Sequence, residues 1–247
     1  MWNTTILRRR QAMGDKALKI QLILVPAGAE YWAVRLGLNR VKNSVSSLPH
    51  VVAIPAGPSG VKAFLETGAL DNLLQKDGIL LVGLGGGLSA RCGAGDVLVL
   101  NRIWNALDAS EGRASDCDPA LTRQIAEQLG ALVGAGVTCD RVITTAAEKE
   151  ALGDRFSADV VDMESVGLVD ALARSNSSRV AVVRVISDDA KSTLPNLSVA
   201  IGEKGELRPR DIAMSFLSHP FAAVRLIRSS LKGLMGLSSA ISRLFCV

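Results

Sequence analysis

Four short segments carry the residues that could do chemistry. In α/β proteins ligands collect at the C-terminal ends of strands, where each of these segments is expected to lie. The first is Pro26-Ala27-Gly28-Ala29-Glu30. A carboxylate just past a strand, at the start of a helix, can simply complement the helix dipole, or it can serve as a general base for water. The second, Val82-Gly83-Leu84-Gly85-Gly86-Gly87-Leu88, is read as a Gly-rich turn whose amides could approach an anion. Its glycine spacing is not the dinucleotide fingerprint, and no Gly-Lys-Ser/Thr follows to make a P-loop. The third is Val161-Asp162-Met163-Glu164-Ser165, a strand turning into a helix. Asp162 and Glu164 cannot share a helix face, so they must have different jobs. An acid there can accept hydrogen bonds from vicinal hydroxyls while Met163 offers an apolar surface to a sugar ring; the alternative is a helix start with capping acids. The fourth is Arg184-Val185-Ile186-Ser187-Asp188-Asp189. Asp188, ending a very apolar run, could be desolvated and hold a proton near neutrality, whereas Asp189 reads as a solvated neighbour.

The elements that must position these residues follow from apolar runs and their breaks. Strands are expected near 18–25, 51–55, 79–82, 96–101, 160–161 and 180–187. Helices are expected over 58–74, 119–133 and 163–173, with Asp118-Pro119 as a helix start. Such alternation predicts one α/β domain, with a largely parallel sheet covered on both faces. Residues 1–17 read as a polar extension, 18–210 as the domain and 211–247 as a basic tail belonging to it.

Composition narrows the partners. The 247 residues are 48% hydrophobic, yet no run of eighteen apolar residues suggests a membrane span. The short run Ile20–Val25 behind Arg8-Arg9-Arg10 fits a first strand better than a signal peptide, so a cytoplasmic protein is expected. Four dispersed cysteines and two histidines argue against a metal site, and no cofactor is expected. One Tyr and five Phe leave little for stacking bases, so nucleic acid is not an expected partner. The net charge of +4 has a location: residues 212–247 hold Arg225, Arg228, Lys232 and Arg243 with no acid, and the rest of the chain carries 24 charges of each sign.

Taken in order, Gly85-Gly86-Gly87-Leu88 with Gly95-Asp96, then Val-Asp-Met-Glu-Ser, then Val-Arg-Val-Ile-Ser-Asp resemble the purine nucleoside phosphorylase/uridine phosphorylase superfamily. The resemblance runs over roughly 18–190 and is greatest to the methylthioadenosine/S-adenosylhomocysteine nucleosidases. It implies a three-layer α/β/α phosphorylase-like fold with a mixed, largely parallel sheet, and cleavage of the N-glycosidic bond of a purine nucleoside. By that resemblance Asp188 protonates or hydrogen-bonds N7, and Glu30 activates water, with Tyr31 the alternative in that place. Glu164 would bind the ribose hydroxyls with Met163 beneath the sugar, while Ser187, Arg184, Gly85 and Gly86 line the site. A homo-oligomer is implied as well. Two departures stand out: Leu84 occupies the place of a small hydroxyl residue, which favours hydrolysis over phosphorolysis, and Thr144-Thr145-Ala146-Ala147-Glu148 replaces the usual Ser-Gly-Asp stretch beside the base.

The tail carries its own expectation. At 100° per residue its four cations fall in a stripe about 60° wide, and Val224, Ile227, Leu231, Leu234, Met235, Ile241 and Phe245 fill the other side. The pattern suits a helix packed on the sheet, or an interfacial helix over 221–247 in peripheral contact with anionic lipid. With Leu194-Pro195 and Ser218-His219-Pro220 it is also similar to the hopanoid-associated phosphorylase subgroup. That similarity implies adenosylhopane, a lipid-linked nucleoside, as substrate.

Overall fold

The computed structural model describes residues 18–45, 47–69, 78–107, 112–174, 179–194 and 220–246, and of 220–226 the backbone only. The expected N-terminal extension and the segment 211–219 lie outside these residues.

Among the described residues eight strands form the sheet: β1 (Ile20–Pro26), β2 (His50–Ile54), β3 (Gly78–Gly87), β4 (Val97–Asn105), β5 (Ala114–Asp116), β6 (Leu132–Thr138), β7 (Val160–Asp162) and β8 (Val180–Asp188). Six described helices accompany them: α1 (Ala29–Val41), α2 (Pro58–Glu66), α3 (Pro119–Leu129), α4 (Ala146–Phe156), α5 (Ser165–Arg174) and α6 (Pro220–Phe245). The strand order is β2-β1-β3-β7-β6-β4-β5, with β8 pairing both β3 and β4. The path β3-β7-β6-β4-β8 therefore closes on itself, and β1 and β2 extend from it as a flap. Pairing is mostly parallel; β3 with β7, β4 with β8 and β4 with β5 run antiparallel. This is the expected mixed α/β sheet in one domain.

Alternation along β8 divides the core. Ala181, Val183 and Val185 join one apolar cluster with α1, α3 and α6, while Val180, Val182 and Ile186 join another with α2 and α5. Two covered faces require near-continuous apolar strands, which is how β1, β3 and β8 read.

The structure corrects several expected elements. The Gly-rich segment is not a turn: Gly83–Gly87 continue β3, pairing with β8 and β7. These glycines admit close neighbours, since a Cβ at Gly85 would lie 2.5 Å from Cγ2 of Val160. The helix expected over 119–133 starts where predicted, with Asp118 accepting the Leu121 N–H at 2.7 Å. It stops at Leu129 because Gly130 takes the left-handed conformation (φ 59°), and the chain then forms β6. Helix α2 likewise ends at Glu66, short of the expected Leu74.

The tail packs on the fold. In α6, Leu237, Ala240, Ile241 and Leu244 are buried in the α1–α3 cluster, and Leu234 and Phe245 are partly buried against it. The expected apolar face is thus split: among its described side chains Ile227, Leu231 and Met235 remain exposed. Helices α1 and α6 meet closely at Gly37, where a Cβ would lie 2.5 Å from the Ser238 carbonyl oxygen. An interior helical Gly→Ala ordinarily stabilises by about 0.8–1 kcal/mol. Overpacking here costs about 1–3 kcal/mol, so Gly37→Ala is expected to lower the urea midpoint; a raised midpoint would show that the two helices do not meet this closely.

Candidate active site

Three strand ends deliver the acidic groups to one place. Chain leaving β1 turns through Gly28 (φ 97°) into α1, whose first turn carries Glu30. Strand β7 ends on Asp162, with Met163 and Glu164 linking it to α5. Strand β8 ends on Asp188. Between them runs the glycine-rich half of β3.

Its floor explains why those residues are glycine. Gly83 pairs with Arg184, and a Cβ at Gly83 would collide with Nη1 of Arg184 and lie 2.9 Å from Oε1 of Glu30. The same Oε1 accepts the N–H of Leu84 at 2.5 Å. Two residues further on, Gly86 lies beside Asp188, both carboxyl oxygens being 3.6 Å from a Cβ placed there. The register between β3 and β8 shifts at this point, so that Ser187 is passed over and Asp188 pairs with Gly86.

Arg184 is fully buried and organises the acids. Its Nε donates to Oδ2 of Asp162 at 2.8 Å, and Nη2 donates to Oγ of Ser165 at 2.9 Å and lies 3.5 Å from Oε2 of Glu164. Nη1 has no hydrogen-bond partner among the described residues and fills the space over Gly83 that a side chain would take. The remaining capacity of Asp162 is taken internally, by the Thr138 hydroxyl at 2.7 Å and by the N–H and hydroxyl of Ser165. This corrects the local reading of Asp162 as an acceptor for vicinal hydroxyls: its oxygens hold the fold together. Glu164 is buried but less committed, accepting the Gly57 N–H at 3.0 Å through Oε1. Gly57 (φ 80°) is also where Met163 packs, its Cε 3.6 Å from a Cβ built at Gly57.

Burial pushes the Glu30 carboxyl up to about 7, against the lowering pull of the Leu84 N–H and of Arg184. Burial also raises Glu164, with Arg184 opposing and Asp162 adding to the rise. Tyr31, the alternative to Glu30, is instead packed against the α1 core and edge-on to Trp32 at 5.5 Å.

Asp188 is buried and its Oδ1 accepts the Ser187 hydroxyl at 2.5 Å; Ser187 Oγ also lies 3.1 Å from the Gly85 carbonyl. Oδ2 is ion-paired with Lys149, a fully buried side chain of α4. Sequence reasoning missed Lys149. It stopped one residue short, at Glu148, and the run Glu148-Lys149-Glu150 looks like a solvated face. Glu148 is half-buried and paired with Arg141, and the segment 144–148 is a helix start capped by Thr145. Asp189 is exposed, as expected, and accepts the Ala94 N–H at 2.6 Å. The structure thus gathers Glu30, Met163, Glu164, Arg184, Ser187, Asp188, Gly85 and Gly86 along one end of the sheet.

No cluster of metal-binding side chains occurs among the described residues, and all four cysteines are free. The fold and this acid-lined strand end define an α/β protein with a candidate active site at one end of its sheet. A family profile described as the phosphorylase superfamily matches residues 45–218, and the chain belongs to that superfamily, whose members include nucleosidases and nucleoside phosphorylases. Among solved structures it is similar to the Helicobacter pylori 5′-methylthioadenosine/S-adenosylhomocysteine nucleosidase, with 17% identity over 92% of this chain and 99% of that chain and a TM-score of 0.60. It is also similar to the futalosine hydrolase of the same organism, with 16% identity, coverage of 92% and 99% and a TM-score of 0.59. For the Streptococcus pyogenes S-adenosylhomocysteine nucleosidase the values are 18%, 91% and 98%, and 0.56. At these identities the likeness is one of fold. A search of the curated proteins finds no match.

The raised Glu30 has a consequence for stability. Its folded value of about 7 exceeds the ordinary 4.5, so the neutral carboxyl favours the fold; that stability is complete below about pH 4.5 and is lost as pH rises through 7. Urea midpoints of the wild type are expected to fall from pH 4.5 to 7.5 relative to Glu30→Gln. Parallel curves for the two proteins would mean that Glu30 is not desolvated.

Proposed function

We propose that the chain is a purine nucleosidase that uses water to cleave the N-glycosidic bond of a 5′-substituted adenine nucleoside. The observation that carries this reading is the meeting over Gly83 of Oε1 of Glu30 with Nη1 of Arg184, which has no hydrogen-bond partner among the described residues. A free donor beside a carboxyl acceptor suits water as the attacking molecule. It does not suit phosphate. Among the described residues the cation there, Arg184, already faces Asp162 and Glu164, and a dianion would add charge beside three carboxyl groups.

In this reading the Glu30 carboxylate takes a proton from water as its oxygen attacks C1′. The C1′–N9 pair moves onto the purine, and Asp188 gives a proton to N7. The ribose is held by Glu164 through its hydroxyls and by Met163 through its apolar face, with Ser187, Gly85 and Gly86 lining the base side. The transition state resembles an oxocarbenium ion, which nearby carboxyl groups stabilise, as in glycoside hydrolysis. The anchors of the two working acids, Leu84 and Gly86, lie two residues apart on β3, about 7 Å. That is the scale at which a sugar and a water fit between two carboxyl groups.

The substituent belongs to the same proposal. Gly233 of α6 packs on Leu84 and Ser187, so α6 passes directly beside the site. There it exposes Ile227, Leu231 and Met235 (73% exposed) alongside Arg228 and Lys232. An apolar edge flanked by cations supports a lipid-linked nucleoside such as adenosylhopane, met at an anionic membrane surface. No described helix is long and apolar enough to cross a membrane. Assembly into a homo-oligomer and a cytoplasmic location at the membrane's inner face complete the proposal.

Purified protein is expected to release free purine from a 5′-substituted or lipid-linked adenosine in phosphate-free buffer. A requirement for phosphate, with ribose 1-phosphate as product, would make it a phosphorylase. Asp188→Asn is expected to lower kcat by about 100-fold or more while nucleoside binding remains measurable, and wild type that binds but never releases base would be a binding module. Deleting 221–247 would remove core residues of α6, so the lipid contact is better tested by substitution. Leu231→Ser with Met235→Ser is expected to abolish co-flotation with anionic liposomes without changing the melting temperature; wild type that ignores such liposomes would remove the lipid contact.

A further inference from the structure

Among the described residues Lys149 is the buried cation that the proposed reaction leaves without a task. It sits on α4, its side chain fully buried, with three acceptors around Nζ: Oδ2 of Asp188, the Asp189 carbonyl at 2.9 Å and the Ser192 carbonyl at 3.0 Å. An ammonium has three N–H donors, so all of them are used. Burying a lysine is costly unless it is paired, and here its charge is spent on the residue assigned to the leaving base.

We propose that Lys149 is a positioning residue that stabilises the carboxylate left on Asp188 when the purine takes its proton, an inference that rests on the nucleosidase reading above. In that step the C1′–N9 electron pair moves onto the ring, and the O–H bond of the Asp188 carboxyl breaks as N7–H forms. Negative charge then appears on Asp188 against the Lys149 ammonium, the ion pair present in the structure, and solvent supplies the proton that Asp188 carries into the next cycle as a nucleoside binds. A charge-assisted hydrogen bond strengthens as its acceptor becomes ionised, so Lys149 helps most at the moment of proton transfer. It also engages Oδ2 and leaves Oδ1, with the Ser187 hydroxyl, for the base.

A purely structural role is the competing account. Nζ brackets the turn after β8 through two carbonyls, and the Leu194 N–H is tied to the Thr144 carbonyl at 2.8 Å. The two accounts separate on the leaving group. Nitrophenolate departs from a p-nitrophenyl riboside without needing a proton, whereas a purine needs one. With Lys149→Met, kcat on a purine nucleoside is expected to fall about 100-fold with KM within about threefold, against a loss under about fivefold on the nitrophenyl riboside with the same 5′ substituent. Lys149→Gln keeps donors for the two carbonyls but no charge, and is expected to show the same split; it also serves if Lys149→Met fails to fold. Equal losses on both substrates, restored purine release in Lys149→Gln, or unaltered kcat in both variants would overturn the proposal. If wild type releases no purine from any nucleoside, the nucleosidase reading itself fails; if wild type is active and only the expected split is missing, the role of Lys149 alone fails.

Discussion

A guanidinium sealed inside a protein has to be matched by anions, and that requirement at Arg184 shapes the whole sheet end. Asp162 supplies the match at 2.8 Å, and it can do so only because Thr138 and Ser165 hold it from the ends of β6 and α5. Glu164 sits nearby at 3.5 Å and is held in turn by the Gly57 amide, which ties in the loop before α2. Gly83 leaves space for Nη1, and the pairing of Gly83 with Arg184 sets the register that places Asp188. A short buried network therefore couples β3, β6, β7, β8, α2 and α5. Breaking it would cost several kcal/mol, since it would leave an unmatched charge in the core.

The same network explains what was legible in the sequence. Val-Asp-Met-Glu-Ser marks a strand turning into a helix, and Arg184 to Asp188 end an apolar strand; both patterns are local, and both stand in the structure as read. What escaped were residues whose roles are set by distant neighbours. Leu132–Thr138 has glycine at Gly134 and Gly136, weak strand formers alone, yet a Cβ at Gly136 would lie 2.7 Å from Cδ1 of Leu100. Gly83–Gly87 read as a turn for the same reason. Lys149 was invisible because a lysine between two glutamates on a helix ordinarily faces water, and nothing local shows that β8 ends beneath it.

Helix α6 shows a different limit. Its periodicity correctly marks an amphipathic helix, but periodicity assigns one apolar side and cannot say where that side runs out of partners. The C-terminal turns find α1 and α3, through Leu237, Ile241 and Leu244. Further back, Leu231 and Met235 have no such cover. The apolar stripe is continuous in sequence and split in structure because the packed face, which carries Gly233, Leu237, Ala240 and Leu244, is rotated away from Leu231 and Met235.

Charge balance finally bears on why this arrangement would favour breaking a glycosidic bond. Once the proton has passed to N7, Lys149 and Asp188 form a neutral pair, so they leave the local balance to Arg184 against Asp162, Glu164 and Glu30. With Glu30 near 7, the site gains negative charge just where pH approaches neutrality. An oxocarbenium-like sugar restores the balance, while the neutral nucleoside does not. The electrostatic gain thus falls on the transition state rather than on the ground state, which is the condition for acceleration instead of mere binding. The same excess of negative charge makes a phosphate nucleophile unwelcome. In the proposed reaction water, uncharged until Glu30 takes its proton, is the acceptor that this balance tolerates.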